Sequence, residues 1–98
     1  MITVGLTRKA YPAINPGTTQ TLAVGASSAA TGSAIGAQLV RLVSTVDCYI
    51  ANGAAPVATN ASMFLPASKP EIFVLALTDK IAVLQVSGAG TLFITPAN

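Results

Sequence analysis

The chain has 98 residues, 52% of them apolar and only 8% charged, with a formal net charge of +2. It has no histidine, and Cys48 is its lone cysteine. It therefore lacks the usual general base of hydrolases and the ligand set of a closed zinc site. One cysteine cannot staple a domain internally, and five cations against three anions do not make the basic surface that nucleic acid requires.

A chain of this length suits a single β domain over 1–98 with a modest core. Residues 2–10 start with a short alternating run and end in a polar knuckle at Thr7, Arg8 and Lys9. The basic pair follows the apolar residues instead of preceding them, the wrong order for a secretory signal. Pro12 and Pro16-Gly17 bracket a loop, because proline restricts its predecessor and Pro-Gly marks a turn. Residues 1–17 are expected to form an N-terminal arm that can cross to a neighbouring subunit.

Residues 18–24 alternate as a strand, with Thr19 and Thr21 on one face and Leu22 and Val24 on the other. The segment 25–37 is rich in Ala, Gly and Ser, and Gly25, Gly32 and Gly36 interrupt every helix of useful length. It reads as a loop or a short edge strand of small residues. Across 22–43 polar residues recur too often for the run of about 20 apolar residues that a spanning helix needs, so no membrane is expected.

The most informative element is QLVRLVSTVDCYIANG. Val40, Leu42, Ser44, Val46, Cys48 and Ile50 share one parity and form a core face. Arg41, Val43, Thr45, Asp47, Tyr49 and Ala51 share the other, which suits solvent or a partner. At about 12 residues the run exceeds a typical strand, so a bend near Ser44–Thr45 is expected. Asn52-Gly53 closes it with turn chemistry. Residues 62–65 form a short strand that brings Met63 or Leu65 to the core, and Pro66 stops it.

Residues 71–77 are strongly β-prone, with Ile72, Val74 and Ala76 on one face and Phe73, Leu75 and Leu77 on the other. A polar turn at Thr78-Asp79-Lys80, a second two-faced strand over 81–86, a Ser87-Gly88-Ala89-Gly90 turn and a final strand over 91–95 complete the chain. Short strands with turn signals every eight to twelve residues predict an all-β antiparallel sandwich or barrel. Such a fold buries one face of each sheet, so apolar residues on both faces imply a second packing surface. Tyr49, Phe73, Leu75, Leu77 and Val83 are the residues expected there. Arg41 and Asp47 share a strand face but stand too far apart to pair with each other, so each calls for a cross-strand or intersubunit partner.

The segments RLVSTVDCYIANG, SMFLP, Glu71-Ile72-Phe73, DKIAV at 79–83 and 88–95 together resemble small β-structured virion proteins of tailed bacteriophages, which serve as head-decoration or tail-associated modules. The similarity covers the chain from Arg41 onward. Thr78 stands where that pattern has a glycine, and Ile72 separates Glu71 from the aromatic. The resemblance implies a jelly-roll-like domain that forms a homo-oligomer, often a trimer, on a phage capsid or tail protein.

Cys48 is in phase with Val46 and Ile50 and reads as an inert core thiol. Glu71, Asp47 and Asp79 are the only side-chain carboxylates, too few and too scattered for a calcium loop or a glycosidase pair. The expectation is a non-enzymatic structural virion protein with no cofactor, metal, nucleic acid or membrane partner, made in the host cytoplasm. It would form a symmetric homo-oligomer as a capsid decoration or cement protein. The alternative within the same fold class is a tail-associated receptor- or glycan-binding module.

Overall fold

In the computed structural model, which describes residues 16–97, the alternating segments become eight strands among the described residues. They are β1 (Gln20–Val24), β2 (Ala29–Ala30), β3 (Leu39–Ser44), β4 (Cys48–Gly53), β5 (Met63–Leu65), β6 (Glu71–Val74), β7 (Lys80–Gln85) and β8 (Gly90–Ala97). They form two four-stranded antiparallel sheets, ordered β1-β8-β3-β6 and β2-β7-β4-β5. Every link between these strands except β4–β5 passes from one sheet to the other. The pairs β1/β8, β2/β7, β3/β6 and β4/β5 are nested, as in a chain doubled back on itself and wrapped into two layers.

The long apolar run at 39–50 shows how the layers are joined. Val40, Leu42 and Ser44 point into the core from β3, and Cys48 and Ile50 do so from β4 in the opposite sheet. The expected bend falls between the two strands. The Val46 N–H donates to Ser44 Oγ at 3.2 Å, a local side-chain turn that draws the backbone out of the β3 ladder. The Thr45 N–H donates to the Thr91 carbonyl at 3.0 Å, and the Thr91 N–H donates back to Thr45 Oγ1 at 3.0 Å. Gly90 makes this approach sterically feasible, because a Cβ there would lie 2.5 Å from Thr45 Oγ1 and 2.7 Å from Val46 Cγ2.

The β5–β6 turn, which also changes sheets, is fastened to the same bend. Ser68, at φ 60°, donates its N–H to the Ser44 carbonyl at 2.8 Å, and the Ala67 N–H donates to Asp47 Oδ1 at 2.8 Å. Leu42, Leu65, Ile81, Leu92 and Ile94 fill the space between the sheets with no measurable or almost no exposure. Burial of such side chains contributes about 1.5–3 kcal/mol each and is the main force holding the layers together.

The segment 25–37 supplies β2, an edge strand of two residues, in line with the edge-strand reading of its composition. Thr31 continues the strand's pairing: its N–H donates to the Ile81 carbonyl at 2.9 Å, and its buried Oγ1 accepts the Ile81 N–H at 3.2 Å. The strand expected over 71–77 ends at Val74, and Leu75 adds one more ladder bond to the Gln38 carbonyl at 2.7 Å. The alternating run at 2–10, and the arm as far as residue 15, lie outside the described residues. From Pro16 the chain is attached to its own domain, by a bridge to Ala97 and a 2.8 Å bond from the Gly17 N–H to the Pro96 carbonyl.

Candidate interaction surface

Each sheet has two edges, β1 and β6 in the first and β2 and β5 in the second. Because β1 packs against β2 and β7, the β5 and β6 edges share the other lateral side of the sandwich. That side carries four large apolar side chains at the surface: Met63 at 47%, Phe64 at 46%, Ile72 at 49% and Val74 at 78% exposure.

Cross-strand register explains why Phe64, Ile72 and Val74 face outward, whereas Met63, opposite the inward Ile50, is exposed at the start of its short edge strand. Phe73 lies opposite Val40, whose side chain is in the core, so Phe73 turns inward as well. Ile72 and Val74 lie opposite Arg41 and Leu39 and take the outer face with them. On β5, Leu65 lies opposite Cys48 and is buried, while Phe64 lies opposite Tyr49 and is exposed. The Tyr49 and Phe64 rings meet edge to face, with centroids 6.2 Å apart and planes at 65°. On the outer face of the first sheet the apolar surface continues from Ile72 and Val74 through half-buried Leu39 and Val43 to exposed Phe93. Arg41 lies between Thr95 and Ile72 in this register, and its charge is the only one among those facing residues.

No protein-family model, curated protein or solved structure matches the chain.

The residues expected to form one second packing surface are dispersed by the fold. Leu75 and Val83 are core residues, at 4% and 0% exposure, and the surface expectation is corrected for both. Val83 is inward because its cross-strand partner Ile50 is inward, and Leu75 follows the parity of Phe73. Phe73 is partly buried and packs on the core from the β6 edge. Tyr49 is half-buried on the outer face of the second sheet, and Leu77 is exposed in the turn after β6. Arg41 and Asp47 do not share a strand face, because the chain changes sheets between them. Asp47 is exposed at the bend, where its carboxylate serves the Ala67 N–H.

Sequence reasoning chose the wrong parity of β6 because both parities are apolar. Pairing with β3 was the missing information, since the charge on Arg41 marks the outer face and Ile72 is its neighbour. Phe64 was detectable in principle: if Leu65 is the inward residue of a short strand, Phe64 must face out.

Asp79 has a structural role. Asp79 Oδ2 accepts Asn52 Nδ2–H at 3.0 Å and the Ala76 N–H at 3.1 Å, which fixes the tip of the β6–β7 turn. Burial pushes the Cys48 thiol above its ordinary pKa. A hydrogen bond with Ser44 opposes that shift, and the Asp47 charge adds to it. A thiol held protonated in this way is a poor nucleophile. Among the described residues no three His, Cys, Asp or Glu side chains cluster as metal ligands, and no helix is long and apolar enough to cross a membrane. The chemistry available at the β5–β6 side is burial of apolar area against another protein surface, at about 25 cal/mol per Å².

Proposed function

We propose that this protein is a structural assembly module without catalytic activity, a virion component that decorates or cements a phage head as a symmetric homo-oligomer. The observation that carries the reading is the exposure of Met63, Phe64, Ile72 and Val74 on the two edge strands of one lateral side, four of the eight exposed large apolar side chains among the described residues. On the outer face of the first sheet Val74 adjoins Leu39 and Val43 adjoins Phe93, and exposed apolar surface of this kind marks association sites. Strand orders 1-8-3-6 and 2-7-4-5 support reading the sandwich as a jelly roll, an architecture used in capsid and lectin domains. Fold alone does not assign function, so the phage component of the proposal rests on the resemblance from Arg41 onward.

Two experiments test this reading. Light scattering of the purified protein is expected to give a mass above that of the single chain at micromolar concentration. Electron cryomicroscopy of native particles is expected to place the protein on the head, and its absence from particles would overturn the virion assignment. The Tyr49–Phe64 pair supports one alternative, a tail-associated receptor- or glycan-binding module, because aromatic faces stack on sugars. A screen of immobilised glycans with Phe64→Ala as the control separates the two readings: retained glycan binding that depends on Phe64 would favour the alternative.

A further inference from the structure

We infer that the homo-oligomer forms by edge-to-edge pairing of β6 with β6 of a second copy, in antiparallel register centred on Phe73. The inference rests on the self-assembly reading above and specifies how the contact is made.

The ladder between β6 and β3 determines which backbone groups remain available. The Leu75 N–H donates to the Gln38 carbonyl, and the same register pairs Phe73 with Val40 and Glu71 with Leu42. Hydrogen-bonded and non-bonded pairs alternate along an antiparallel ladder. The N–H and C=O groups of Phe73 and Leu75 therefore turn toward β3, and those of Ile72 and Val74 turn toward the open edge. Among the described residues none meets them. Their side chains are also the apolar, exposed residues of the strand, so one short segment offers both a hydrogen-bonding edge and apolar area. An edge of this kind selects an extended strand as its occupant.

Complementarity of the strand to itself selects a second copy. With Phe73 on a two-fold axis, Ile72 of each copy lies opposite Val74 of the other, and both pairs can exchange N–H and C=O bonds. A register centred on Ile72 would place Pro70 opposite Val74, and proline has no N–H to give. In the register centred on Phe73, Ile72 and Val74 of both copies form one apolar cluster on the outer face, where Arg41 is a strand away in each copy. The two partly buried Phe73 rings meet on the inner side. Glu71 falls opposite Leu75 of the second copy, so no two like charges are directly opposed.

The test combines hydrogen exchange with a variant. In wild-type protein, the Ile72 and Val74 amides are expected to gain about tenfold or more protection as concentration is raised through the assembly range. The Phe73 amide, bonded internally to β3, is the protected control at every concentration. Val74→Pro removes an outward N–H and no internal ladder bond, and proline is tolerated at such edge positions. It is expected to weaken association by about tenfold or more while the fold, followed by circular dichroism, is kept. If this variant does not fold, the exchange measurement on the wild type decides by itself. Fast exchange at Ile72 and Val74 in a fully assembled sample would overturn the edge pairing and leave the self-assembly reading standing. A trimer as the sole assembled species would have the same effect, because a two-fold join builds even-numbered assemblies. A wild-type protein that stays monomeric throughout would overturn both.

Discussion

The β1–β2 side of the sandwich shows Gln20, Thr21, Ala23 and Ala30 to solvent, whereas the β5–β6 side shows Met63, Phe64, Ile72 and Val74. Both sides are made of edge strands, and edge strands are the parts of a sheet most able to recruit another chain. The first side limits that risk with a two-residue strand and small or polar outward residues. The second limits it with Pro70 just before β6 and the brevity of β5 and β6, yet leaves large apolar groups uncovered. Neither β1 nor β2 carries a charge, whereas Glu71 lies in β6, so the two sides differ in the size of their exposed apolar side chains and not in a lack of charge.

That comparison can be broken or sharpened by substitution. The largest effect is expected from Leu65→Ala, which removes the fully buried anchor of β5 and should cost about 2–5 kcal/mol in urea unfolding. A small loss would mean that the β5 edge is not held by the core and that its exposed neighbours have no fixed presentation. At the bend between β3 and β4, Gly90→Ala places a methyl within 3 Å of the Thr45 and Val46 side chains. It should cost about 1–3 kcal/mol without changing the association constant, because the β1–β8 region is structural in this account.

A smaller effect is expected with pH. The Cys48 thiol has a raised pKa in the folded protein, so the unfolded chain releases its proton first as pH rises. Stability is therefore fully present below the ordinary thiol pKa of about 8.5 and declines above it, with a slope of at most about 1.4 kcal/mol per pH unit. Cys48→Val should flatten that decline, and an unchanged slope would assign it to other groups. The smallest effect on stability, within about 0.5 kcal/mol, is expected from the double substitution Ile72→Thr with Val74→Thr, because both side chains point to solvent in the single chain. The same pair should weaken self-association, whereas Thr21→Val on the other side should leave it unchanged.

Much of the layering was legible in the sequence. The parity of Val40, Leu42, Cys48 and Ile50 gave the core face of β3 and β4 even across a change of sheet, because Ser44 keeps the phase while its hydroxyl makes the turn. The shortness of β2 followed from the glycines that surround it. The surface was harder to read. In β6 and β7 both parities are apolar, so alternation cannot say which residues face in, and that depends on pairing with Arg41 and Ile50 on distant strands. Leu75 and Val83 were misplaced for that reason, and Ile72 and Val74 were passed over for the same one. Ala82 shows a further limit: it has outward parity yet no exposure. The β4–β5 loop is anchored across the sheet through an Ala58 N–H bond to Ser28 Oγ at 2.9 Å, a cover that no local pattern encodes.

Sedimentation equilibrium of the wild-type protein beside Val74→Lys, over a wide concentration range, tests the central claim most directly. Lysine at an edge strand is a common natural block to strand addition. The account predicts reversible, even-numbered association of the wild type and a folded, monomeric variant. A wild type that remains monomeric, or a variant that associates as tightly as the wild type, would contradict it.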